Sequence, residues 1–257
     1  MLLTHKSLKV LPFLILKYII MNLHFDSPYN FKTASNPIVL PESITDKIKA
    51  LIPKIKKTQE FLSEHPDREA RTAGFFEISP EEDIYLNEGW IVRMIVTKKP
   101  PVGAPLDYRE QEKTLYINQT WKPSYMGIYH EMVHALDPKA RPGYEGYIQR
   151  DPDTYFTEEP GGYFKVPEEI DAIQSSYAHK VVEYGKYYHK QDEELTFDEY
   201  IEELRNWLQS PDTSKMPSAI RGGSGIYIWM KEPKLRKQFL KRMHWALQQL
   251  EQLEPLD

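Results

Sequence analysis

Residues 130–134 read His-Glu-Met-Val-His, and this spacing constrains the fold more than any other feature of the chain. Two imidazoles can serve one metal ion only if they point the same way. An α-helix achieves this for residues four apart, which lie one above the other on a single face. The chain around the motif must therefore be helical, with one side turned to chemistry. Glu131 falls about 100° round the helix from His130. From there it can reach a metal-bound water without ligating the metal, as a general base must. The other flank carries Met126, Tyr129, Val133 and Leu136, an apolar stripe that predicts anchoring in a core. Random ordering of this composition would produce such a motif roughly 0.02 times. The helix is expected to start near Pro123 and to end at Asp137, because Pro138 cannot continue it.

Composition narrows the chemistry further. The 257 residues contain no Cys, which removes thiol nucleophiles, disulfide frameworks, cysteine zinc sites and iron–sulfur clusters together. A chain of this length can bury enough surface to fold without such staples. Lys+Arg total 33 against Asp+Glu 38, a net charge of −5, so a general polyanion binder is disfavoured and no nucleic-acid partner is expected. Hydrophobic residues at 40% argue for a packed globule over a disordered chain.

Residues 1–22 form an apolar leader broken by Lys9, Pro12 and Lys17. It is too short and too charged for a spanning helix. Its readings are a disordered or mis-annotated start (with Met21 the true one), a weak signal peptide or surface anchor, and an ordered apolar helix. Membrane contact is expected only through this segment, and the cytoplasm is favoured over secretion.

Residues 23–257 read as a single α+β domain, with a sheet part at about 70–120 and a helical part at about 123–253. A helix is predicted over 42–64, with a kink or break at Pro53. Strands are predicted over 73–78, 84–96 and 114–118, with a turn at 99–103. After the motif helix come a long loop over 138–166 and helices over 167–189, 197–209 and 232–253. The sheet is expected to be small and antiparallel or mixed, with an edge strand next to the motif helix.

A tetrahedral catalytic zinc takes three protein ligands and leaves the fourth position to water. No His occurs over residues 135–140, so the pattern in which a third His soon follows is absent, and metzincins are set aside. A carboxylate on a downstream helix remains. Residues 167–172 read Pro-Glu-Glu-Ile-Asp-Ala, opening the next predicted helix 35 residues after His134 at Glu169. Here the chain resembles the gluzincins, zinc metallopeptidases with HExxH and a glutamate ligand on a following helix, several of which show Glu-x-x-Ala around that glutamate. Glu169-Ile-Asp-Ala172 matches that pattern. The resemblance spans roughly residues 110–185. It implies zinc ligands His130, His134 and Glu169 and a general base Glu131, with Glu168 an alternative third ligand one residue away. It also implies one Zn2+ ion and a protein or peptide substrate laid along an edge strand, for which the segment 114–118 is similar to the family's.

Several roles stay open on the sequence. Asp171 or Asp137 could accept a hydrogen bond from a ligand imidazole and fix its tautomer. Tyr144, Tyr147, Tyr155, Tyr163, Tyr177 and His179 are candidates for the donor that would stabilise an oxyanion. A non-peptidase zinc hydrolase, or a metal-binding protein with little activity, would use the same ligands. Residues 221–225 (Arg-Gly-Gly-Ser-Gly) lack a phosphate-loop pattern and read as a hinge or helix cap. The basic run Lys231, Lys234, Arg236, Lys237, Lys241 and Arg242 reads as the solvated face of a terminal helix.

Overall fold

The computed structural model describes residues 37–83, 88–101, 104–137, 167–190, 196–218, 220–221 and 225–253. The leader over 1–22 and the long loop over 138–166 lie outside them. Helix α1 (Glu42–Glu64) precedes strands β1 (Ala70–Ile78), β2 (Trp90–Thr97), β3 (Leu106–Arg109) and β4 (Thr114–Asn118). Helices α2 (Tyr125–Leu136), α3 (Pro167–Lys190), α4 (Phe197–Gln209), α5 (Ile226–Trp229) and α6 (Pro233–Glu251) follow, with a 3-10 turn at Thr213–Lys215. The class is α+β, a small mixed sheet followed by a helical part. Among the described residues no helix is long and apolar enough to cross a membrane.

Local chemistry explains where the elements begin. Ser124 caps α2 by accepting a hydrogen bond from the Gly127 N–H. Thr196 and Glu199 form a reciprocal capping box at the start of α4. Pro233 sits in the first turn of α6, where no intrahelical donor is needed. Gly225 takes the cap position of the four-residue α5, in line with the cap reading of the glycine-rich segment. Helix α1 runs unbroken through Pro53, so the expected break is absent. Pro53 and Lys49 are both exposed, so the Lys49 carbonyl that loses its donor faces water.

The sheet order is β1-β2-β4-β3. Strand β1 pairs antiparallel with β2, β2 parallel with β4, and β3 antiparallel with β4. A bulge between Thr72 and Gly74 offsets the first pair, and Gly74 supplies its positive φ of 154°. The segment 114–118, expected at the sheet edge, is instead the interior strand β4. The edge beside the motif helix is β3, which the sequence did not predict. The side chains agree with this order. Thr114, Leu115 and Ile117 of β4 are buried, whereas β3 buries only Tyr108 and carries the Asp107–Arg109 ion pair at 2.6 Å. Charged side chains suit an edge and discourage stray strand pairing.

Two apolar clusters hold the elements. In the first, Ile44, Ile48, Leu51 and Ile55 of α1 and Ile128, Met132 and Val133 of α2 pack with sheet residues such as Phe76, Val92, Val96 and Ile117. The second is helical and gathers Val181, Tyr200, Leu204, Trp207, Trp229, Phe239, Met243 and Leu250. Each such side chain contributes roughly 1.5–3 kcal/mol by leaving water. Helix α3 takes part in both clusters, Ala172 in the first and Ala178 onward in the second. Gly185 of α3 permits the closest approach: a Cβ there would stand 2.2 Å from Leu250 Cδ2 of α6 and 3.1 Å from Tyr200 Cε1 of α4.

Candidate metal centre

Helix α2 is buried along its length from Ile128 to Leu136 apart from His130, which keeps 14% of its side chain exposed. The stripe expected to anchor it does so at Tyr129, Val133 and Leu136, while Met126 is half-buried. His134 is 2% exposed, so of the two imidazoles the first is the more open to the surface.

Helix α3 runs against α2 in the opposite sense. Glu169 in its first turn meets His130 and His134, and His179, ten residues on, meets Tyr129 and Tyr125 further back along α2. The cluster that results is compact. His130 Nε2 and His134 Nε2 lie 3.2 Å apart. Glu169 Oε2 lies 3.2 Å from His130 Nε2, and Glu169 Oε1 lies 3.3 Å from His134 Nε2. All three ligand groups fall within 4.8 Å of one another and could hold a metal ion. Glu169 is 3% exposed, and among the described residues its Oε2 makes no hydrogen bond beyond the 3.2 Å ion-pair contact with His130 Nε2. A buried carboxylate met only by imidazole nitrogens suits a site completed by a cation. Burial alone would raise the Glu169 carboxyl, but the neighbouring imidazoles, His134 foremost, hold it well below the ordinary carboxylate range. The side chain of Glu168, the alternative third ligand, lies outside the described residues.

Glu131 is buried next to this cluster, with Oε1 3.9 Å from His130 Nε2. Its Oε2 accepts a hydrogen bond of 3.1 Å from the Tyr108 backbone N–H on the edge strand β3. Sequence reasoning missed this partner and could not have found it, because a backbone amide on an unpredicted strand leaves no mark in residue type. Close packing brings the two elements together. At Gly127 a Cβ would stand 2.8 Å from Trp121 Cζ2 and 3.0 Å from Leu106 Cδ1, so β3 is seated where only hydrogen fits.

Asp171, His179 and Tyr177 have other partners. Asp171, expected to orient a ligand imidazole, accepts hydrogen bonds from Arg242 and Gln238 of α6. Asp137 is 3% exposed at the end of α2, where its N–H donates to the His134 carbonyl. His179 lies about 15 Å along the α3 axis from Glu169 at 1.5 Å per residue, too far to face the metal site. It stacks on Tyr129 with centroids 4.1 Å apart and shares a 2.7 Å hydrogen bond with the Tyr125 hydroxyl. Tyr177 packs edge-on against Trp229 in the second cluster. Tyr144, Tyr147, Tyr155 and Tyr163 lie outside the described residues.

Comparison with family models, with curated proteins and with solved structures gives no match. The functional reading therefore stands on the site alone.

Proposed function

We propose that the chain is a zinc-dependent metallopeptidase of gluzincin type, hydrolysing peptide bonds with Glu131 as general base. The observation that carries this reading is the convergence of His130, His134 and Glu169 with Glu131 beside them. The donor set, two imidazoles and a carboxylate, suits zinc, and one ligand atom from each residue lies within 4.8 Å of the others.

The chain's own residues divide the work. His130, His134 and Glu169 would hold the ion. When bound, zinc supplies the Lewis acidity that polarises a carbonyl and acidifies water. Glu131 is anchored through Oε2 by the Tyr108 N–H. It would take the proton of the attacking water and return it to the leaving amine. The edge strand β3, directly beside this base, is where an extended peptide would pair.

The test is the zinc content of the purified chain, with cleavage of a mixed peptide library. The parent should carry one zinc, and Glu169→Ala should lose it. Glu131→Gln should keep the metal and lose about 10²–10⁴-fold in hydrolysis. A parent that takes up no zinc when zinc is offered refutes the reading. A zinc-loaded parent that cleaves no peptide leaves a non-peptidase hydrolase or a metal-binding protein in its place.

A further inference from the structure

The basic run at the chain's C-terminal end does not behave as one solvated face. Lys231, Lys234, Lys237 and Lys241 are exposed and Arg236 is half-buried, but Arg242 is 1% exposed. A guanidinium withdrawn from water is very costly unless its donors are met. The two terminal nitrogens of Arg242 meet theirs on one short stretch of α3, while Nε makes no hydrogen bond among the described residues. Its Nη1 donates to the Ile170 carbonyl at 3.3 Å, the Asp171 carbonyl at 3.3 Å and Gln174 Oε1 at 3.2 Å. Its Nη2 donates to Asp171 Oδ1. Gln238, one turn earlier on α6, donates to the same carboxylate oxygen at 2.8 Å. The Ser175 hydroxyl also donates to the Asp171 carbonyl, at 2.6 Å.

These acceptors begin at the residue next to Glu169. The peptide carbonyls of Ile170 and Asp171 belong to the helical turn that carries the Glu169 Cα. Fixing them fixes where that turn sits along and around the helix axis. Burial disfavours the charged guanidinium and pulls its pKa down, and the charge and hydrogen bond of Asp171 oppose this, with a lesser contribution from Asp137. A metal centre tolerates only a few tenths of an ångström in ligand placement. A planar fork with donors on both terminal nitrogens suits such a task, and an ammonium on a flexible stem does not.

We propose that Arg242 is a positioning residue for the metal centre: it locks the first turn of α3 so that the Glu169 carboxylate meets His130 and His134. The proposal rests on the metal-centre reading given above. It extends the site by a residue 73 positions beyond Glu169, on a helix that supplies no ligand.

The experiment compares Zn2+ affinity, by competition with a chelating dye, and the visible absorption of the Co2+-loaded full chain. The set is the parent, Arg242→Lys, Asp171→Asn and the control Val181→Ala. Val181 is a buried residue of the second cluster on the same helix, so its truncation lowers stability without touching the first turn. Arg242→Lys should weaken Zn2+ binding about ten- to a hundredfold and shift the Co2+ bands. Asp171→Asn should act in the same direction with smaller effect, and Val181→Ala should leave both readouts at parent values. The proposal is overturned if folded Arg242→Lys and Asp171→Asn match the parent. It is equally overturned if Val181→Ala weakens binding as much as they do, because the loss would then follow stability alone. Should Arg242→Lys fail to fold, Asp171→Asn decides on the same readouts. A parent that binds neither Zn2+ nor Co2+ is a separate result: it removes the metal-centre reading itself and needs no variant to see.

Discussion

Acid should weaken this fold in a window set by His179. Its ring is stacked on Tyr129 at 4.1 Å with 8° between planes, and Tyr125 holds its Nε2. Burial disfavours the imidazolium, and the nearby cations Lys186 and Lys49 act in the same direction. Glu183 resists, but the pKa is still pushed down from 6.5 to about 4. The unfolded chain, with an ordinary histidine, takes up its proton first as pH falls. Stability is therefore intact above about pH 6.5, declines from there to about pH 4, and loses nothing more to this group below that. At about 1.4 kcal/mol per pH unit, the whole window is worth roughly 3 kcal/mol. The part between pH 7 and pH 5 is about 2 kcal/mol. The assay is urea unfolding of the metal-free chain at pH 7, 6 and 5, beside His179→Phe, which keeps an aromatic ring on Tyr129 and removes the titrating group. The parent should lose about 2 kcal/mol more than the variant across that range. Equal losses in both would refute the assignment and place the acid sensitivity in other groups.

Other perturbations follow from close contacts. Gly185→Ala should cost about 1–3 kcal/mol by overpacking, since its Cβ would stand 2.2 Å from Leu250 Cδ2. The same change made in a Leu250→Ala background should cost markedly less, and a double-mutant cycle in denaturant without such coupling would contradict the contact. Gly127→Ala should push β3 from α2 and stretch the Tyr108–Glu131 hydrogen bond. If the site is catalytic, kcat should fall while Zn2+ affinity holds, and a fall in affinity alone would contradict the role given to that bond. Asp83→Ala should strand the Trp90 indole N–H, which donates to Asp83 Oδ2 at 2.5 Å, at a cost of about 1–3 kcal/mol read from chemical unfolding.

The parts of this molecule legible in the sequence are those fixed by short-range rules. The motif helix, the start of α3 at Pro167 and the start of α4 at Phe197 depend on neighbours within one or two turns. His130, His134 and Glu169 could be nominated from local pattern and resemblance, and the structure brings them together. What sequence did not reveal depends on distant partners. Strand β3 is four residues long with Asp107 and Arg109 among them, too short and too polar for an alternating pattern. The interior place of β4 is a matter of strand order, which residue type does not encode. Arg242 looks like its basic neighbours along α6 until a second helix is laid against it, 68 to 72 residues away in the chain.

The position of α3 across both apolar clusters bears on the order of assembly. His130 and His134 are neighbours on one helix and can come together early, from local structure alone. Glu169 joins them only after a 35-residue separation is closed and α3 has docked. A cation requiring all three groups would then bind the finished molecule and none of its precursors. Occupied at a thousand times its dissociation constant, it would deepen the native basin by about 4 kcal/mol. It would serve as a latch on docked α3, slowing amide exchange along that helix's first turns more than anywhere on the sheet.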